Sequence, residues 1–324
     1  MKIAMISSWH VHAKDYARDL MKLPQCEIVA VWDENKEAGL KWASELNCPF
    51  IEDYDTLLQD ETIDGVVINS PTIMHTELIL KAARAKKHIF TEKVLAFTVA
   101  DCLKIKDEIH NNRVKFTIAF PHMCSAQMLF AKQMVESGTL GDLTFARVRN
   151  AHNGSIGNWL PQSFYHKENC GGGAMIDLGA HTLYLLEWIL GKATHISSTF
   201  TKVTGKEVED NAVCVLQFQN GAIGVAETSF VSVHMPLTLE ISGTKGSLMV
   251  RDGVSYANEA TEGKWVAASE LPASLPSPLI QWVESVTENK KPAFGIEEAI
   301  SLTNLLESAY ASAENNQKMI INNY

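Results

Sequence analysis

Lys2-Ile3-Ala4-Met5-Ile6, followed by Ser7-Ser8-Trp9-His10-Val11-His12, is a short apolar run opening onto a polar turn. Continuous apolar runs of this length make strands buried on both faces, as in parallel sheets. Tyr16, Leu20 and Leu23 follow at near-helical spacing, and Pro24 ends them. The same alternation repeats outward from this start. Residues 27–32, 65–69, 88–91 and 114–119 read as strands, with a brief one at 50–51, and residues 36–46, 54–58, 77–85 and 99–110 read as helices. Strands alternating with helices predict βαβ units, hence an N-terminal Rossmann-type, doubly wound parallel sheet over residues 1–120.

Ligands of such sheets bind off the carboxyl ends of the strands. The polar residues expected there are His10, His12, Asp33, Ser70, Thr72, His75, Glu92 and Lys93. Asp33 ends the second strand, where a carboxylate accepts hydrogen bonds from an adenosine ribose and repels a 2′-phosphate, favouring NAD over NADP. The competing reading is a loop aspartate that caps the next helix. A dinucleotide turn usually carries Gly-x-Gly-x-x-Gly, and here the three places hold Ser7, Trp9 and His12. In one reading the backbone N–H groups of residues 7–12, Val11 included, still hold the diphosphate, with His10 or His12 lending charge. In the other the turn binds no dinucleotide.

The 324 residues are 46% hydrophobic, enough for two domains with real cores, and the formal net charge of -10 excludes a phosphate-backbone partner such as nucleic acid. Six cysteines lie far apart with no Cys-x-x-Cys spacing, so neither a disulfide framework nor a metal site is expected. The first residues lack a long apolar segment and no later stretch spans a bilayer, which predicts a soluble cytoplasmic protein.

After residue 119 the alternation stops. Helix 127–136 and strand 143–150 are followed by β-rich runs at 196–203, 212–218, 222–230, 237–241 and 247–250. Val213, Val215, Gln217 and Gln219 alternate with Cys214, Leu216 and Phe218, as in an antiparallel sheet packed on one face. The expectation for residues 121–324 is a C-terminal α+β domain with a large, mostly antiparallel open sheet, its last helices at 279–287 and 296–313 packing back on the first domain. Within it, Gly171-Gly172-Gly173 precede a helical pattern that stops at Gly191, giving backbone the freedom to approach a ligand. Ala174, Leu178, Leu185 and Ile189 form one core stripe, while Asp177 and His181, four apart, share another face. An acid beside an imidazole suits proton transfer, or simply stabilises a solvated helix. Trp159, Phe164 and Tyr165 lie in the preceding loop, placed to stack on a sugar ring, to cover the cofactor, or simply to pack locally.

Four stretches then carry a resemblance to the Gfo/Idh/MocA oxidoreductases. Ser70-Pro71-Thr72-Ile73-Met74-His75 is similar to the family's loop beside the nicotinamide ribose. Thr91-Glu92-Lys93-Val94-Leu95-Ala96 resembles its Glu-Lys-Pro motif, and Glu136-Ser137-Gly138-Thr139-Leu140-Gly141 resembles the helix end leading into the second domain. Residues 171–191 resemble the motif Gly-Gly-Gly…Asp-x-Gly-x-His. Val94 departs from the motif's proline, Tyr184 stands where many relatives carry Asp, and His122-Met123 fall where relatives often place Arg. The resemblance implies hydride transfer between a nicotinamide cofactor and a secondary alcohol of a sugar, inositol or other polyol. For that reaction His181 is read as the base and Lys93 as the group that polarises the oxygen; Asp177 holds a neighbouring substrate hydroxyl or orients the imidazole, and His122 and Trp159 are placed on the substrate. The competing role for Lys93 is a surface lysine paired with Glu92. A homo-oligomer, dimer or tetramer, through the C-terminal sheet is also implied. Two other functions fit the same fold: glycoside hydrolysis through transient redox, and a non-catalytic sensor.

Overall fold

The computed structural model describes residues 1–322. Two compact units emerge: Met1–Ala119 with Pro276–Ile300, and Phe120–Leu275 with the residues from Ser301 onward. The sequence division at residue 120 placed the segment 276–300 in the second domain; its residues belong to the first unit.

In the first unit the order is β1 (Lys2–Ile6), α1 (Ala13–Met21), β2 (Glu27–Trp32), α2 (Lys36–Leu46), α3 (Tyr54–Gln59), β3 (Gly65–Ile68), α4 (Thr72–Arg84), β4 (His88–Thr91), α5 (Val99–Asn111) and β5 (Phe116–Ile118). The sheet runs β2-β1-β3-β4-β5, every pair parallel. All four residues of β3 are buried, the result of helices covering both faces of a parallel sheet. Ile3, Met5, Val67 and Phe90 build the core, joined from the chain's last third by Leu279, Trp282 and Val283. Burying a side chain such as Ile3 or Phe90 contributes roughly 1.5–3 kcal/mol. Helix α4 begins at Thr72, five residues before its expected start, because Pro71 sits at the N-cap and the helix follows it directly.

The second unit contains α6 (Ala126–Glu136), β6 (Leu143–Ala151), α7 (Lys167–Cys170), α8 (Ala174–Leu190), β7 (Ala193–Thr201), β8 (Asn211–Phe218), β9 (Ile223–Ser229), β10 (Thr238–Gly243), β11 (Gly246–Arg251), β12 (Gly253–Asn258), β13 (Val266–Ala267) and β14 (Met319–Ile320). They form one sheet, β13-β12-β11-β10-β6-β9-β8-β7-β14, antiparallel except for the parallel pair β6 and β9. Strand β8 shows the alternation read from its sequence: Ala212, Cys214, Leu216 and Phe218 are buried, whereas Val215 and Gln217 are exposed. Helix α8 packs across the covered face against β6, β8 and β9. It carries more than one apolar stripe, for Thr182, Leu183, Tyr184 and Leu186 are buried as well, and so is His181. A helix apolar on most sides is enclosed on most sides. Two further helices, α9 (Pro278–Thr287) and α10 (Ile296–Asn315), precede β14; α9 supplies Trp282 to the first unit's core.

The triple glycine before α8 has reasons inside the unit. Gly171 takes φ +79° and caps α7, a conformation costly for other residues. A Cβ on Gly172 would lie 1.9 Å from the Tyr310 hydroxyl oxygen, and one on Gly173 would lie 2.0 Å from the Glu209 carbonyl oxygen. The close approach is to the chain's own atoms. The Glu209 carboxylate then accepts from the Gly173 and Met175 N–H groups (2.9 and 3.0 Å) and from the Tyr310 hydroxyl (2.6 Å). A side chain from far along the sequence therefore caps the helix, since Gly173 has none. Burial, with Glu209 beside it, pushes the Tyr310 hydroxyl up and keeps it a donor.

Candidate active site

In the first unit the turn after β1 reproduces a Rossmann turn without its glycines. Ser7 adopts φ +64°, the left-handed conformation for which the first glycine is normally chosen. The Ser7 N–H donates to the Trp32 carbonyl (2.7 Å), which clamps the turn to the end of β2. Asp33 stands at that end, buried, and is not the cap of α2; Asn35 performs that role through the Ala38 N–H. The Asp33 carboxylate accepts from the Ser8 N–H and hydroxyl (2.8 and 2.6 Å) and from the Asn35 N–H (2.8 Å). It both braces the turn and keeps acceptor capacity on Oδ1.

The backbone donors of this turn point inward. The Trp9 N–H donates to Ser7 Oγ, the His10 N–H to the Asn69 carbonyl and the His12 N–H to His10 Nδ1 (3.1, 3.0 and 3.3 Å). Val11 is exposed at the tip. The turn therefore differs from a glycine-rich anion nest, whose amides converge on a phosphate.

Beyond β3 and β4 lie Ser70, Pro71, Thr72, His75, Glu92 and Lys93. His75 is buried; its Nδ1 lies 2.8 Å from the Val94 carbonyl and its Nε2 3.1 Å from the Ser70 carbonyl, so the ring bridges the two loops, donating to one carbonyl when neutral. Burial lowers the His75 pKa, against the opposing pull of those carbonyls. Lys93 is buried, which removes it from the class of surface lysines, and the Lys93–Val94 peptide is cis although no proline is present. Glu92 accepts the Lys93 N–H on Oε2 (3.1 Å) and the Tyr16 hydroxyl on Oε1, with His10 Nδ1 3.6 Å from Oε1. Burial acts to raise the Glu92 carboxyl; the positive charges of His10, Lys93 and His12 and the Tyr16 hydroxyl outweigh it and hold the pKa below the usual range.

In the second unit α8 presents Asp177 and His181, the first half-buried and the second 9% exposed. His181 Nδ1 is 2.9 Å from the Tyr184 hydroxyl, and the His122 ring meets the His181 ring edge-on at 4.6 Å between centroids. Tyr184 in turn lies against Phe120 (4.4 Å). When His181 donates Nδ1–H to Tyr184, Nε2 is left as the basic nitrogen; a tyrosine can accept or donate here, whereas a carboxylate can only accept. In the sequence Tyr184 stands out only as a departure from the family's Asp; its offset of three from His181 on a helix is the signal that pairs the two. His152 went unnoticed. It stacks on Phe230 (5.0 Å, 9°) and against Trp159 (4.5 Å), and burial lowers its pKa while the charge of Asp177 opposes that. Trp159 is 55% exposed and donates from Nε1 to Asn153 (3.2 Å), while Phe164 and Tyr165 are buried.

Comparison with known proteins places these two halves in one context. Residues 1–120 match the family described as oxidoreductase family, NAD-binding Rossmann fold, and residues 128–249 match the GFO/IDH/MocA C-terminal domain. The chain belongs to the Gfo/Idh/MocA oxidoreductases. It is similar to an uncharacterized oxidoreductase, YrbE, of Bacillus subtilis (28% identity, 72% of this chain and 69% of that protein). It is also similar to the myo-inositol 2-dehydrogenase of Thermotoga maritima, again at 28% identity, over 61% of this chain and 59% of that protein, less than two thirds of its length. Among solved structures, levoglucosan dehydrogenase in complex with NADH and L-sorbose matches with a TM-score of 0.88 at 18% identity, covering 99% of each chain. No helix among the described residues is long and apolar enough to cross a membrane.

Proposed function

We propose that this oxidoreductase oxidises a secondary alcohol of an uncharged sugar, inositol or other polyol, with NAD rather than NADP as cofactor. The observation that carries the reading is the His181 imidazole, buried on α8 and held at Nδ1 by Tyr184. An imidazole oriented through one nitrogen is the arrangement from which a general base can act with the other. In this reading His181 takes the hydroxyl proton at Nε2 and Lys93 polarises the same oxygen. Asp177 holds a neighbouring hydroxyl, and His122 and Trp159 contact the substrate. The chemistry supplied by the bound nicotinamide is hydride acceptance. Ser70, Pro71, Thr72, His75, Glu92 and Lys93 would lie along the nicotinamide half, and Ser7, Trp9, His10, Val11 and His12 along the diphosphate. The residues fit the dinucleotide in two respects: Ser7 keeps the left-handed turn, and Asp33 stands at the ribose position of the fold.

Two wider readings are supported by features already described. The open sheet face carries Val215, Ile223 and Met249 exposed beside the Arg147–Glu227 ion pair (2.9 Å), which suits an interface between copies of this chain. None of the six cysteines is joined in a disulfide, which fits a reducing, cytoplasmic setting.

The experiment is a single-turnover assay with NAD⁺ and a panel of inositols and sugars. His181→Ala lowers the rate by about 10²-fold or more while NADH binding changes little. Tyr184→Phe, which keeps the packing, lowers the rate by a smaller factor and shifts its pH profile. Full single-turnover activity in His181→Ala overturns the assignment.

A further inference from the structure

Outside glycine, the turn after β1 has become rich in groups that bind cations. One ring nitrogen of His10, one of His12 and a carboxylate oxygen of Glu92 all lie within 4.8 Å of one another. Two of the three are fixed and enclosed: His10 is 7% and Glu92 2% exposed. Their surroundings hold them in place. Tyr16 donates to Glu92 and rests edge-on against Phe90 (5.1 Å), and the His10 N–H is anchored on the Asn69 carbonyl. The third, His12, has a side chain 54% exposed and 3.7 Å from Asp15, free to change rotamer. The amides of Ser8, Trp9, His10 and His12, which would attract an anion, are directed at intrachain acceptors. The groups brought together at the turn are therefore imidazole nitrogens and a carboxylate oxygen.

We propose that His10, His12 and Glu92 form a binding site for a divalent late first-row transition metal, of the Zn²⁺ or Co²⁺ type. Two nitrogens and one oxygen are the ligand set such ions prefer, whereas Mg²⁺ and Ca²⁺ take oxygen alone. Bonds of about 2.0–2.2 Å place tetrahedral ligand atoms roughly 3.4 Å apart. The present separations contract to that value chiefly by rotation of His12, the exposed member. Three protein ligands leave a fourth position for water or for a ligand oxygen. The absence of Cys-x-x-Cys led the sequence reading to expect no metal, because the third ligand is eighty residues away, at the end of a different strand.

The site goes beyond the dehydrogenase reading, and its test needs no dinucleotide. Metal-free protein, stripped with a chelator and dialysed, is titrated with CoCl₂ and with ZnCl₂, following the visible Co²⁺ absorption and the heat of binding. The expected result is one equivalent bound, with a Co²⁺ spectrum of tetrahedral or five-coordinate intensity. His12→Ala and His10→Gln each weaken binding by at least about tenfold. His12 is exposed, so His12→Ala tests the site even where His10→Gln fails to fold, and far-UV circular dichroism and melting report which variants are folded. No binding by the folded wild-type protein, or binding that His12→Ala leaves unchanged, overturns the proposal; the latter assigns the metal to other histidines. NADH titration of the stripped protein reads the dehydrogenase proposal separately, so either can fail alone.

Discussion

The turn at residues 7–12 and the lead into α8 at residues 171–173 differ in a way that separates a glycine's two uses. The first has no glycine, yet keeps the backbone shape glycine normally provides, because Ser7 holds φ +64° and the Trp32 carbonyl accepts its N–H. The second keeps all its glycines, and two of them are required by neighbours: Tyr310 fills the space beside Gly172, and the Glu209 backbone fills the space beside Gly173. A missing glycine thus does not mean a lost turn, and a retained one does not by itself mean a ligand.

The largest effect should come from adding one methyl group to the second region. Gly173→Ala places a Cβ against backbone, which cannot move aside as a flexible side chain does. It should cost roughly 1–3 kcal/mol or more. Ser7→Gly, at a position already left-handed, should change stability by no more than about 1 kcal/mol. Urea midpoints of the two variants measure both. Equal losses would erase the contrast.

A smaller effect tests what the first turn is braced against. Asp33 accepts two bonds from Ser8 and keeps capacity for a ribose hydroxyl, so NADPH should bind about tenfold or more weakly than NADH, and Asp33→Asn should narrow that gap. Paired titrations decide it; NADPH binding as tightly as NADH to the wild type removes Asp33 from the ribose.

The smallest effect concerns the loops beyond β3 and β4. Burial depresses the folded-state pKa of His75, so the unfolded chain takes up its proton more readily. The stability that follows is present above the unfolded value near 6.5 and is lost as pH falls below it. Urea midpoints should decline from pH 7.5 to 5.5, and less steeply in His75→Asn. An equal slope in both proteins would exclude His75 as the source.

Much of the fold was legible because apolar runs and helical spacings report burial directly. Strands 2–6 and 88–91 and helix 36–46 were read at their observed bounds. Strands β12, β13 and β14 were missed: Ser255, Tyr256 and Ala257 are only half-buried, β13 and β14 have two residues each, and none forms an apolar run. The residues of α8 could be named from a motif, but their partners could not. His152 is more than twenty positions from Asp177, and Glu209 is 36 from the Gly173 it caps. Distances of that kind are set by the sheet and leave no local pattern. The Asn69 carbonyl that turns the His10 amide inward was invisible for the same reason; the Ser7 hydroxyl that takes the Trp9 amide is only two residues away, but needs the left-handed turn to reach it.

The cap on α8 bears on what the helix can select. The first turn of a helix ordinarily offers unsatisfied N–H groups and a partial positive charge, an attraction for phosphate or carboxylate. Here the Gly173 and Met175 amides already face the Glu209 carboxylate, held in turn by Tyr310. The first turn of α8 therefore offers an approaching anion no unsatisfied Gly173 or Met175 amide. On the reading proposed above, a substrate beside this end of α8 would be an uncharged sugar or polyol.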